Sequence, residues 1–447
     1  MRLSDSSEVL DERIDEFASI VQKAHNLEDG ALGNAACQST SEVVAVGRIA
    51  TDTPETRLMA SSLVLEMSRR SGAGRRIPLR LSSNLSCHFF PGQIVALRGQ
   101  NASGEDFVVS ELLSIPCLPE PVSAPAVIEA NNQRLGDSAE SMPLSVLCAS
   151  GPYCADDNLA FEPLNALCSS AADGGVDALI LCGPFLDVEH PLIASGDFDR
   201  PEIKGLGPEA TMATLFRLLI SAPLTSLCNA NPNITIILVP SVRDAVSKHA
   251  CWPQEQLPRK DLGLPKPVKI MTNPCTFWLN EVVVGISSQD VLGELRREEL
   301  TAGSKGQQDL LARLSRHLIE QRHYFPLFPP VARESLPKNG TESGIATGAC
   351  LDVGYLKLGD MLNVKPDVLI TPSALPAFTR VSCSNLPRLL PTLLMFWLSL
   401  GRGRCDSHQP RDTVEKAGRW HLLTNITSTK DPRQGRVQSD QCRSQSV

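Results

Sequence analysis

Residues 176–185 read VDALILCGPF, and two further runs share the design: LSVLCASG at 144–151 and ITIILVPS at 234–241. Each is a short, continuously apolar run stopped by Gly, Pro or Ser, the pattern of a strand buried on both faces. Segments with helical character, around Leu159–Ala172 and Glu209–Cys228, separate the runs. FWLNEVVVGISS at 277–288, a helical segment from Gln307 to Arg322 and PDVLITPS at 366–373 follow. Alternation of this kind predicts an α/β domain with a largely covered sheet.

Upstream the pattern changes. A Pro-rich crossing, Pro116–Pro125, and a polar stretch ending near Met142 mark a boundary. Before it, Val43–Leu113 holds five short strand candidates: VVAVGRIA, SLVLEM, RIPLRL, QIVALRGQ and DFVVSELL. The turns between them, including Asp52-Thr53-Pro54, Gly72-Ala73-Gly74 and Pro91-Gly92, supply the backbone positions that reversals require. An oligonucleotide-binding (OB) barrel is the commonest five-stranded solution of that size, with a generic small β domain as the alternative. Residues 8–25 place Val9, Leu10, Ile14, Phe17, Ile20, Val21 and Ala24 at helical spacing, as a docking helix requires. The expected organisation is therefore a docking helix and linker at 1–40, an OB-type barrel at 41–118 and a linker at 119–142. An α/β domain at 143–380 and a divergent, poorly ordered tail at 381–447 complete it.

With 447 residues, 42% hydrophobic, the chain is long enough for several packed cores. A formal charge of -8 argues against affinity for nucleic acid built mainly on neutralising phosphates, so protein partners fit better. The 14 cysteines include no C-x-x-C pair and read as reduced thiols in a cytosolic or nuclear protein. The start, MRLSDSSEVLDERIDEF, is acidic where a signal peptide would be basic, and the apolar stretch Leu386–Leu400 is broken by Arg388 and Pro391. No membrane segment is expected.

Chemistry in an open α/β sheet gathers at the carboxyl ends of the strands. Here those ends read Cys148-Ala149-Ser150-Gly151-Pro152, Cys182-Gly183-Pro184-Phe185, Val239-Pro240-Ser241, Gly285-Ile286-Ser287-Ser288 and Thr371-Pro372-Ser373. None is Asp, Glu or His, whereas a two-metal hydrolase must hold its cations with several carboxylates and imidazoles. The residues predict no metal, no cofactor and no catalysis.

Five segments carry a resemblance: FFPGQIVALRGQNASGEDFVV, DALILCGPFLDVEHPLI, ILVPSVRDAV, RHLIEQRHYFPLFPP and LDVGYLKLGDMLNVKPDVLITPSALPAF. In that order they resemble the B-subunit family of the DNA polymerase alpha-primase complex, over roughly residues 5 to 380. The resemblance implies an OB-type barrel followed by an inactivated calcineurin-like phosphoesterase α/β sandwich. It implies a nuclear, non-catalytic scaffold that binds the C-terminal region of the polymerase catalytic subunit, reaches primase through it and supports initiation of DNA replication. DNA would be touched weakly or indirectly.

Related metallophosphatases carry D-x-H, G-D-x-x-D and G-N-H-D/E. Laid on this chain, those motifs fall near Ala149–Gly151, Cys182–Asp187 and Pro240–Asp244, and only Asp187 and Asp244 survive as vestigial metal-site positions. Asp187 and His190 read either as residual ligands or as polar residues capping the next segment. A site needs a convergent shell rather than two survivors, which supports the second reading. His249, near Cys251, reads as a loop or partner-facing histidine. Ser241, Ser287 and Ser288 lack a recognisable His and Asp. Arg69, Arg70, Arg75 and Arg76 sit in a barrel turn, as a weak nucleic-acid contact or a solvated loop. The apolar stripe at Leu310–Ile319 reads as core packing. Two other functions compete with the scaffold: a metal-dependent phosphoesterase with a degenerate site, and a single-stranded nucleic-acid-binding module acting through the barrel.

Two departures from the family are expected to matter. Its members carry a further helical domain before this segment, and closing strands with an Asn-Pro-Gly turn after it. From Val381 the chain instead turns polar, with nine Lys or Arg against five acidic residues from Gly401 on, as a gene-model artefact would produce.

Overall fold

The computed structural model describes residues 2–28, 30–53, 57–82, 84–134, 144–173, 175–197, 210–246, 251–303, 309–330, 350–376, 378–382, 392–396, 421–424, 430–431, 436–437 and 443–446. They cluster into two compact units: Met1–Pro119 with Val291–Pro330 and Leu351–Lys365, and Glu120–Asp290 with Val331–Cys350 and Pro366–Val447.

In the first unit the five predicted strands appear as β1 (Ser39–Thr51), β2 (Leu63–Glu66), β3 (Arg76–Leu81), β5 (Ile94–Asn101) and β6 (Phe107–Leu113). They close a barrel in the order β1-β2-β3-β6-β5. Successive residues of a strand point to opposite faces, so β1 can serve two cores at once. Ala45 and Ile49 face the barrel interior with Leu65, Leu79, Leu97, Phe107 and Val109. Val44 and Val46 face outward, where α1 (Leu3–Ala24) covers them with Ile14, Phe17 and Val21. The docking helix thus packs on its own barrel. At Gly99 the β5–β6 register shifts, and an added Cβ would lie 2.2 Å from the Val108 carbonyl, so only glycine fits the bulge.

The sequence predicts one continuous domain over 143–380, but Val291–Pro330 and Leu351–Lys365 return to the first unit. The hydrogen bonding shows why. A short strand β4 (Cys87–Phe89) pairs antiparallel with Leu300–Ala302. Gln321, at the end of helix Leu310–Glu320, accepts from the Ile94 amide at 2.8 Å and donates to the Ile94 carbonyl at 2.9 Å. A side-chain amide thereby takes the place of a neighbouring strand at the start of β5. Arg13 of α1 bonds the Gln321 carbonyl at 2.5 Å and Asp360 at 2.6 Å. Burial lowers the Arg13 pKa and raises that of Asp360, each partly offset by the other's opposite charge. The stripe on Leu310–Glu320 is core, with Leu314 and Leu318 fully buried.

In the second unit β7 (Val146–Ser150), β8 (Ala178–Cys182) and β9 (Thr235–Val239) run parallel, with Lys269–Ile270 beyond β9. Leu147, Leu179, Leu181, Ile236 and Leu238 face helices Glu162–Asp173 and Met212–Ala230. The alternate residues Val146, Cys148, Ile180, Ile237 and Val239 face a second sheet through Val282, Val284, Ile286, Val368 and Ile370. Double-sided burial is what the continuous apolar runs predict. Met212–Ala230 is long and apolar enough to cross a membrane, but Leu215, Phe216, Ile220, Leu224 and Leu227 belong to this core.

The second sheet runs Cys275–Leu279, Val282–Ile286, Val368–Ile370, Thr392–Phe396, Phe378–Ser382. Within the segment expected as a tail, Thr392–Phe396 pairs parallel with Val368–Ile370 and antiparallel with Phe378–Ser382. His421–Thr424 likewise pairs with Arg443–Ser446.

Gln321→Ala would strand both polar groups of Ile94, at about 1–3 kcal/mol each. The measurement is amide hydrogen exchange, in which the Ile94 amide should lose protection; unchanged protection would mean that Gln321 does not hold β5.

Candidate functional site

The carboxyl ends of β7, β8 and β9 are drawn together by backbone. The Gly151 amide donates to the Cys182 carbonyl and the Gly183 amide to the Val239 carbonyl, both at 2.8 Å, extending the ladder past the strands. An added Cβ would come within 1.8 Å of the Pro184 carbonyl oxygen at Gly151, and within 2.6 Å of Asp244 Oδ2 at Gly183. The Gly-Pro pairs therefore let the loops close onto one another. The buried Tyr153 hydroxyl donates between the carbonyls of Cys182, at 2.8 Å, and Ala149, at 3.1 Å.

Asp187 and Asp244 meet above this floor through an antiparallel bridge of their backbones. They are 3% and 2% exposed. Asp244 accepts three backbone amides: Phe185 at 2.5 Å and Leu186 at 3.3 Å on Oδ1, and Ser241 at 2.8 Å on Oδ2. Burial pushes its pKa up to about 7, against the pull of those donors. Asp187 is gripped by both arms of Arg243, with Nε at 3.1 Å from Oδ1 and Nη2 against Oδ2. Its Oδ1 also accepts the Glu189 amide at 3.0 Å, and Arg243 reaches Glu189 at 3.1 Å. Burial raises the Asp187 pKa and Arg243 opposes it.

His190 lies beside this pair without joining it. Its Nδ1 accepts the Leu192 amide at 3.2 Å, at the start of helix Pro191–Ser195. Its Nε2 faces the carbonyls of Ala155, at 2.8 Å, and Asn158, at 3.1 Å, so Nε2 carries the proton. Both nitrogens are spent on the chain itself. Among the described residues no three His, Cys, Asp or Glu side chains come together as a metal site.

The comparisons with known proteins bear on both units. Residues 146–380 match the family model for the B subunit of DNA polymerases alpha and epsilon, and residues 7–115 match that for the OB domain of the DNA polymerase alpha B subunit. The chain belongs to the DNA polymerase alpha/epsilon B-subunit family. It is 39% identical to the DNA polymerase alpha B subunit of Schizosaccharomyces pombe over 410 residues, covering 90% of this chain and 65% of that protein. Against the corresponding Saccharomyces cerevisiae protein it is 38% identical, over 85% of this chain and 55% of that one. Against the Bos taurus protein it is 30% identical, over 86% and 57%. The chain thus spans less than two thirds of these relatives. The closed barrel is the family's OB domain, and the layered α/β unit belongs to its phosphoesterase-like part.

Within this B-subunit family member, among the described residues, the other predicted side chains do not converge on Asp187 and Asp244 as ligands. Ser288 Oγ donates to the Pro240 carbonyl at 2.5 Å and Ser287 Oγ to Asn273 at 3.3 Å. Ser241 Oγ accepts the Arg243 amide at 3.3 Å, shaping the loop that carries Asp244. His249 lies outside the described residues, and Cys251 is a partly buried thiol. In the barrel turn, Arg69 pairs with Asp11 at 2.5 Å and Arg76 with Glu66 at 3.0 Å. Arg70 stands beside Arg69 in the single helical turn Arg69–Gly72, and Arg75 immediately precedes β3. The residue that sequence reasoning missed is Arg243. Its signal was available: VRD puts a cation next to Asp244, and a buried carboxylate needs a cation or several donors.

Arg243→Ala should leave Asp187 buried without its cation and cost about 2–3 kcal/mol, below the 3–5 of a fully buried pair because Arg243 stays partly exposed. A folded-state pKa above the unfolded value means stability is lost as pH rises, so the thermal midpoint of this variant should fall further at pH 8 than at pH 5. Asp187→Asn in the same background should recover most of the loss at pH 8. A midpoint unmoved by Arg243→Ala would remove Arg243 from this role.

Proposed function

We propose that this chain is a non-catalytic accessory subunit of a DNA polymerase alpha assembly. It tethers the catalytic subunit through the C-terminal region of that partner, reaches primase through it and supports initiation of replication in the nucleus. The observation that carries this reading is a phosphoesterase-like frame whose two surviving carboxylates are already engaged, Asp187 by Arg243 and Asp244 by backbone amides. Asp187 and Asp244 are then vestigial metal-site positions, kept because they fold the loops.

The barrel supports protein binding over nucleic acid. Base stacking on a single strand needs exposed aromatic faces, and the barrel's Phe89 and Phe107 are 0% exposed. Arg98 pairs with Glu111 at 2.9 Å and Arg80 with Asp106, so these two wall cations are already offset. DNA contact at Arg69, Arg70, Arg75 and Arg76 is correspondingly weak.

Co-expression with the C-terminal region of a DNA polymerase alpha catalytic subunit should give a complex that survives size-exclusion chromatography in moderate salt. A chain that elutes alone from every such mixture would refute the proposed role.

A further inference from the structure

One motif has no part in the strand-end site: the segment DVGYLKLGDML, residues 352–362. It places three large apolar side chains in solvent, Tyr355 at 59%, Leu358 at 66% and Leu362 at 63% exposure. The segment is not a loose loop. Residues Val353–Gly359 form a 3-10 helix capped by Asp352, whose carboxylate accepts the Gly354 amide at 3.2 Å. Buried His323 bonds the Leu356 carbonyl at 3.0 Å, the Tyr324 amide bonds the Gly359 carbonyl at 2.9 Å, and the Met361 amide bonds the Arg322 carbonyl at 2.8 Å.

In a 3-10 helix residues three apart eclipse, so Tyr355 and Leu358 share one face while Leu356 anchors another in the core. Those hydrogen bonds fix the backbone of the segment while Tyr355 and Leu358 stay exposed. Rigid aromatic and aliphatic groups presented in this way are typical interface anchors.

The neighbouring charge selects the occupant. The 3-10 helix packs beside α1 and is clipped to it by Lys357, at 2.5 Å from Glu12 and 3.7 Å from Glu16. Glu8, Glu12 and Glu16 recur every fourth residue and form an exposed acidic stripe on α1, which Lys357 only partly offsets. Nucleic acid and anionic lipid are repelled by such a stripe.

The geometry points to a docking surface, made of Tyr355, Leu358 and Leu362 with the Glu8–Glu12–Glu16 stripe, for a protein helix with an apolar ridge flanked by lysine or arginine. This inference does not rest on the polymerase assignment. Its test uses the full chain and two labelled synthetic amphipathic helical peptides with the same leucine ridge, one flanked by lysines and the other by glutamates. Fluorescence anisotropy should show binding of the lysine peptide only. Tyr355→Ser with Leu358→Ser should weaken it by about tenfold or more. Glu8→Gln with Glu16→Gln should weaken it too and flatten its salt dependence. These positions are exposed, so the thermal midpoint should stay put; Leu362→Ser alone supplies the same readout if the double variant is unstable. The inference is overturned if neither peptide binds, if both bind equally, or if the folded apolar variants bind like the unsubstituted chain.

Discussion

A carboxylate taken out of water must find a cation or several donors, and the strand-end region of this chain is organised by that requirement. Asp187 finds Arg243, and Asp244 finds three backbone amides. In a two-metal hydrolase the cations would take both roles and would also activate water. A guanidinium supplies the charge and a fixed geometry but has no coordination position to offer a reactant. The contacts of Asp187 and Asp244 hold the loops in shape.

The closure extends through the floor of the site. Gly151 and Gly183 let the loops approach until no side chain would fit, and Tyr153 fills the space beneath with its hydroxyl engaged by two carbonyls. Satisfied polar groups of this kind rigidify a fold. In the other unit the same accounting holds β5 in place through Gln321 and clamps α1 through Arg13. Each unit is thereby stiffened from within.

Much of this was legible in the residues because periodicity reports burial. In the barrel β3 alternates between buried and exposed residues, and the runs in β7, β8 and β9 do not, which separates a wall covered on one face from a strand covered on both sides. The strand ends were legible as positions carrying Gly, Pro, Ser and Cys in place of the carboxylates and imidazoles that a two-metal hydrolase uses. What stayed hidden depends on partners far apart in the chain. Arg243 meets Asp187 across 56 residues, and Gln321 meets Ile94 across 227. No local pattern encodes such pairings. For the same reason the return of Val291–Pro330 to the barrel unit escaped a reading that treats domains as continuous stretches. Thr392–Phe396 lies inside the longer apolar stretch Leu386–Leu400, whose composition alone does not separate strand from helix.

On the proposed reading, the chain's own donors stand at the strand ends where metals would bind. Manganese binding, titrated by electron paramagnetic resonance on the full chain, tests it most directly. No stoichiometric site is expected in the unsubstituted chain, and the same result is expected after Asp187→Asn. Stoichiometric manganese binding that disappears with Asp187→Asn would contradict it.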